Sequence, residues 1–328
     1  LSGRGKKQAL VFEGDRWDPS KNEGRGGPVF EQRLSYRELL IEVALRARVL
    51  KSLDLSAGDR IALNLPNILE QIFYILAAQR LGVIYTPVFG GFSAKTLSDR
   101  IHDAGAKVVI TADGGYRNAE VVSYKSTYVD PALDNYVPRP AALKALSETL
   151  KSRLPADVAE RLEVQVTEAV AGEITLERAD VMRELGLALE RERGTAPEII
   201  AELRTTVASE LASVSHAVTN VIVVRYTGND IVEHSRDRWS HDLIAELEAE
   251  FLADAGAADR ASLDSLDDNA FWKAVGSAIP AVPVEADWPL FIIYTSGSTG
   301  QPKGVVHTHG GWLSGITHTM RTVFNANQ

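Results

Sequence analysis

Tyr294-Thr-Ser-Gly-Ser-Thr-Gly-Gln-Pro-Lys-Gly304, followed by Val305-Val-His-Thr-His309, crowds hydroxyl side chains, glycines and one lysine into a short run. Just before it, Pro289-Leu-Phe-Ile-Ile-Tyr294 is apolar, aromatic and β-branched, the composition of a buried strand. A Gly/Ser/Thr loop leaving such a strand can offer backbone N–H groups and hydroxyls to phosphate oxygens, because glycine lets the backbone approach closely. Lys303 can add a point charge to departing phosphates. A plain surface turn is the competing reading, but turns seldom join this hydroxyl density to a Pro-Lys-Gly exit.

The run does not fit the P-loop of kinases and GTPases. That motif needs Gly-Lys-Ser/Thr leading straight into a helix, whereas here Pro302 precedes Lys303 and Gly304 follows it. The order Ser/Thr-Gly-Ser/Thr-Thr-Gly-x-Pro-Lys-Gly instead resembles the phosphate loop of the adenylate-forming superfamily, with Gln301 at the variable slot. Acyl-CoA synthetases, luciferases and peptide-synthetase adenylation domains share it.

Bulk properties bound the rest. The 328 residues are 45% hydrophobic and 24% charged, enough for a large core. A formal charge of −9 argues against general nucleic-acid binding, which favours clustered basic surface. With no cysteine, disulfides, thiolate metal sites and a cysteine nucleophile are excluded. No signal peptide or membrane-length apolar run is visible, and a cytoplasmic location is expected. Both ends read as cuts inside a larger protein.

Strand and helix signals alternate along the first part. Ser35 with Glu38 forms a capping-box pattern ahead of Leu39, Val43, Ala47 and Leu50. A helix over 68–81 should end at Gly82 and one over 93–104 at Gly105, with strands near 60–65, 83–89 and 106–111. An α/β fold follows, with mostly parallel sheets flanked by helices. Composition then shifts to Ala, Leu, Glu and Arg. Apolar stripes at Val158–Ala169, Val181–Leu189 and Ile199–Val214 predict an all-helical insertion of about three helices, the last with a Thr195/Glu198 capping box. The expected division is 1–137 and 218–328 as α/β parts around a 138–217 insertion. Residues 253–269 read as a surface connection.

Further segments narrow the resemblance. Val88-Phe-Gly-Gly-Phe-Ser-Ala94, Leu97-Ser-Asp-Arg-Ile101, Thr111-Ala-Asp-Gly-Gly-Tyr-Arg117, Asn220-Val-Ile-Val-Val-Arg225 and His307-Thr-His-Gly-Gly-Trp312 are similar to the acetyl-CoA and propionyl-CoA synthetase branch. The resemblance implies a two-step ligase using ATP, Mg2+ and CoA. A carboxylate oxygen attacks the α-phosphorus, pyrophosphate leaves, and the acyl group then passes to the CoA thiol. It makes Thr295, Ser296, Gly297, Ser298, Thr299 and Gly300 the phosphate cradle and Lys303 its charge support, although Thr295 reads equally as a structural strand-end hydroxyl. Gly90 and Gly91 match a pair that lets the pantetheine arm pass, and Arg117 an arginine that meets a CoA phosphate. A plain turn and a solvated arginine are their alternatives, and Asn118-Ala119 stand where the family has glycines. No residue is assigned as catalytic or metal-binding. His307 and His309 lack ligand-spaced partners and read as pocket lining or structure, Trp312 as core or pocket wall, and Asp113 as a turn residue.

In such enzymes the adenine, ribose and magnesium contacts and the adenylation lysine lie downstream of the loop, so downstream domains are the expected partners. The position of the insertion resembles the ligase part of multifunctional propionyl-CoA synthase, which activates 3-hydroxypropionate. It either packs on neighbouring catalytic domains or is a solvated elaboration. A carrier-loading adenylation domain and a non-catalytic scaffold are the alternative readings.

Overall fold

The computed structural model describes residues 3–192, 196–214, 216–296 and 302–325. Strands Arg60–Asn64 (β1), Ile84–Pro87 (β2), Val108–Ala112 (β3), Asn220–Val224 (β4), Asp237–Trp239 (β5), Pro289–Ser296 (β6) and Pro302–Thr308 (β7) form one seven-stranded sheet in the order β5-β4-β3-β1-β2-β6-β7. Neighbours run parallel except at the last pair, where β7 is antiparallel to β6. The α/β architecture is the one expected.

Alternation along the strands explains why both faces need cover. Ile61, Leu63, Val108, Ile110, Ile222 and Val224 pack into one cluster, whereas Ala62, Val109, Val221 and Val223 pack into another. Helices Tyr36–Ser52 (α1) and Leu69–Leu81 (α2) cover the first face, and Ala94–Ala104 (α3) covers the second. Each fully buried leucine of this kind contributes about 2 kcal/mol. The capping box forms as read: Ser35 Oγ accepts from the amide of Glu38 at 3.2 Å, and Glu38 accepts from the amide of Ser35 at 2.7 Å. Gly82 and Gly105 end α2 and α3 at φ 67° and 62°, where only glycine is unstrained.

The insertion is richer than the stripes suggested. Among the described residues it has four helices, Arg139–Arg153, Ala156–Ala169, Arg178–Arg191 and Pro197–Ser213, and a short antiparallel pair, Tyr136–Pro138 with Thr175–Glu177. Prolines at 138 and 140 hid the first helix, yet a proline in the first turn loses no helical hydrogen bond. Ala142, Leu146 and Leu150 are buried together with Leu162, Val166, Leu185 and Val207 in a core separate from the sheet's. The Thr195/Glu198 box is corrected: Ala196 caps the last helix without a side-chain bond, and Thr195 lies outside the described residues. Asp99 on α3 ties the insertion down, accepting the amide of Thr175 at 3.1 Å and its hydroxyl at 2.5 Å.

Ser240–Asp254 (α4) and Asp268–Ala278 (α5) complete the first face. The stretch read as a surface connection holds the short helix Arg260–Asp264 and the start of α5, which buries Phe271, Val275 and Ala278. Acidic caps at Asp259 and Asp267 gave the region its loop-like composition. His309–Thr322 (α6) follows β7.

Candidate active site

Strands β2 and β6 are parallel neighbours, with Phe291 beside Tyr85, so the segments leaving their carboxyl ends emerge at one edge of the sheet. In doubly wound sheets that edge is where ligands bind. One of those segments is the Gly/Ser/Thr loop, of which Gly297, Ser298, Thr299, Gly300 and Gln301 lie outside the described residues. Its flanks are clear. Thr295 pairs with Lys303 and Ser296 with Pro302 across the β6–β7 hairpin. Directly opposed residues share a face, so the Thr295 hydroxyl and the Lys303 ammonium stand side by side, both exposed. Pro302 opens a strand and no helix, which accounts physically for the departure from the P-loop.

The other face of the hairpin is anchored. Tyr294 lies opposite Gly304, and a Cβ at 304 would come within 3.3 Å of its ring, which explains glycine there. The Tyr294 hydroxyl donates to Asp103 Oδ2 at 2.7 Å. Burial and the Asp103 carboxylate push the phenol well above its usual range. Arg100, only 6% exposed, places its guanidinium 5.4 Å from the Tyr294 ring centre and 4.4 Å from that of Phe92.

Phe92 belongs to the segment after β2 that carries Gly90 and Gly91. Gly90 faces Tyr124 so closely that any Cβ would overlap the tyrosine ring. A Cβ at Gly115 would sit 2.7 Å from the other edge of the same ring. Tyr124 thus fills the crevice between the loops leaving β2 and β3, half-buried and edge-on to Tyr128 with centroids 5.5 Å apart. Burial, then Tyr128, raise its phenol, while Arg117 opposes the shift. Arg117, exposed, ends the short strand Gly115–Arg117, and Asn118 and Ala119 make the turn at φ 52° and 66°. The missing glycines are therefore replaced by residues forced into the same left-handed region.

The structure sets Gly90 against Tyr124 and Gly91 against Phe89, leaves Arg117 acting on Tyr124 only through space, and joins Phe92 to the base of the β6–β7 hairpin through Arg100. Tyr124, Arg100 and Asp103 were not singled out in sequence. Arg100 lies within the quoted Leu97–Ile101 segment and Asp103 just after it, and their role depends on a strand far along the chain. A cavity of about 350 Å3 lies nearby between Phe12, Phe30, Glu70, Tyr116, Arg225 and Tyr226, and neither Thr295 nor Lys303 lines it.

Asp113 proves to be a turn-holder. It is fully buried, and its carboxylate accepts the amides of Gly114, Tyr226, Thr227, Gly228 and Asn229. His307 stacks on Phe291 at 4.5 Å, and Trp312, partly exposed, meets Phe291 edge-on at 5.0 Å. Burial depresses the His309 imidazole. Both histidines thus belong to packing around the hairpin. Among the described residues, the one group with metal-ligand spacing is Asp130, Asp134 and His234. Lys125 and Arg236 already pair with its carboxylates at 2.9 Å and 2.6 Å. Lys125 also binds Asp237, on the sheet edge opposite the hairpin. That group is already offset by cations and lies away from the hairpin.

Comparison with known proteins bears on the whole chain. A family model described as "AMP-binding enzyme" matches residues 6–198 and 199–328. Acetyl-coenzyme A synthetase of Aeromonas hydrophila subsp. hydrophila is 30% identical over 329 residues, covering 100% of this chain and 33% of that protein. Acetyl-coenzyme A synthetase 2 of Pseudomonas putida is 31% identical over 326 residues, covering 99% of this chain and 32% of the relative. Acetyl-coenzyme A synthetase of Methylobacterium radiotolerans is 32% identical over 326 residues, with the same 99% and 32% coverage. The chain spans about a third of the length of these relatives. With the match running through both α/β parts and the loop, this chain belongs to the AMP-binding enzyme family.

Proposed function

We propose that the chain is the phosphate- and CoA-binding part of an ATP-dependent short-chain acyl-CoA ligase. The observation that carries this reading is the shared edge of β2 and β6. It sets the Gly/Ser/Thr hairpin beside the Gly90–Gly91 segment, and Tyr124 continues that line to Arg117. On this reading the loop from Thr295 to Gly300 takes the triphosphate tail, and Lys303 offsets charge as pyrophosphate departs. Donors fixed in advance at such a point lower the barrier without reorganisation. Magnesium would come with the triphosphate and offset its charge, its protein contacts being expected downstream of the loop. Gly90, Gly91 and Arg117 serve the acyl acceptor, CoA.

The acid is of two or three carbons. The insertion supports 3-hydroxypropionate and a multifunctional polypeptide, because a helical unit with its own core can pack on a neighbouring domain without disturbing the sheet. The division 1–137, 138–217 and 218–328 belongs to this reading, as do a cytoplasmic location and partners limited to the acid, ATP, CoA and downstream domains. Among the described residues, no helix is long and apolar enough to cross a membrane.

The test is acid-dependent ATP–pyrophosphate exchange on the full-length protein with a panel of short carboxylic acids, followed by CoA consumption. Exchange and thioester formation with acetate, propionate or 3-hydroxypropionate are expected. Exchange without CoA consumption would mark a carrier-loading enzyme, and no exchange a scaffold.

A further inference from the structure

The geometry points to Arg100 as a positioning residue that couples the nucleotide loop to the acceptor segment, an assignment that rests on the ligase reading above. Arg100 projects from α3, and its guanidinium is shared between two rings that belong to different half-sites. Tyr294 immediately precedes Thr295, and Phe92 closely follows Gly90 and Gly91. The charge is 94% shielded, and among the described residues it forms no salt bridge; its Nη1 donates to the carbonyl oxygen of Thr96 at 3.0 Å. A buried cation with no carboxylate bonded to it depends strongly on what faces it, here the two aromatic faces.

That dependence links the two loops. Tyr294 is fixed at its far end by Asp103, so a shift of the hairpin on nucleotide binding must pass through the ring that Arg100 faces. On the other side Phe92 meets Phe89 edge-on at 5.9 Å, and the two phenylalanines bracket Gly90 and Gly91. Both are well exposed, at 41% and 70%, so core packing does not lock that side. Asp99 attracts Arg100 through space, but its carboxylate is bonded to Lys95 and Thr175 and not to the guanidinium. A simple packing role would leave each ligand's affinity independent of the other. A shared guanidinium makes them interdependent, and by linkage equally so in both directions.

The experiment measures dissociation constants for ATP with and without saturating CoA, and for CoA with and without ATP. It uses the full-length protein as wild type, Arg100→Ala, Arg100→Lys and Phe92→Leu. Wild type should show an affinity ratio of about fivefold or more, equal in both directions. Arg100→Ala and Phe92→Leu should reduce the ratio to under about twofold, and Arg100→Lys should keep part of it, since an ammonium retains charge but not the planar faces. Phe92→Leu alters a partly exposed side chain and keeps the test sound if Arg100→Ala does not fold. Retention of the full ratio in Arg100→Ala or Phe92→Leu would overturn the assignment. Wild type that binds both ligands without interdependence would overturn it too while leaving the ligase reading intact; wild type that binds neither removes both.

Discussion

Asp113 Oδ2 accepts the amide of Gly228 at 2.7 Å, and the same carboxylate takes four more backbone amides, from Gly114, Tyr226, Thr227 and Asn229. One buried side chain thus closes the loops after β3 and β4 at the edge where the candidate site lies. Asp113→Asn would turn an amide donor toward amide donors and should cost about 3 kcal/mol in urea unfolding. A loss under about 0.5 kcal/mol would show that these loops hold without it.

Ala119 carries a left-handed backbone that glycine adopts freely. Ala119→Gly should raise stability by about 1 kcal/mol, read as a higher unfolding midpoint at an unchanged slope. A lower midpoint would mean the turn is not under that strain.

Gly90 and Tyr124 should behave as one unit. Gly90→Ala must displace the tyrosine ring and should cost about 1–3 kcal/mol, whereas the same change in a Tyr124→Ala background should cost little. Additive costs in that double-mutant cycle would contradict the contact.

His102 and His216 face each other 6.5 Å apart, between α3 and the end of the insertion. Burial lowers the His102 imidazole to about 4, and it depresses His216 as well. The unfolded chain therefore binds more protons below pH 6.5, so this contribution is present above pH 6.5 and is lost as pH falls toward 4. His102→Gln should lose less of its melting temperature than wild type between those limits. An equal loss would show that His102 takes no part.

The sheet and its punctuation were legible because they rest on local chemistry. The β-branched run at 289–294, the Ser35–Glu38 box and the glycines at 82 and 105 each act within one turn or strand. The Asn118–Ala119 departure was visible too, although its backbone consequence was not. What stayed hidden is non-local. Asp103 meets Tyr294 across 191 residues, and Tyr124 acquires its place only when the loops after β2 and β3 converge. The helix 139–153 was obscured for a local reason, prolines that look like breakers but sit harmlessly at its start.

The central claim is that the hairpin from Thr295 to Lys303 grips the triphosphate. Its most direct measurement is acid-dependent ATP–pyrophosphate exchange by the full-length protein carrying Thr299→Ala and Lys303→Ala together. Exchange should fall by about a hundredfold or more while the unfolding midpoint stays close to that of wild type. Undiminished exchange would contradict the account.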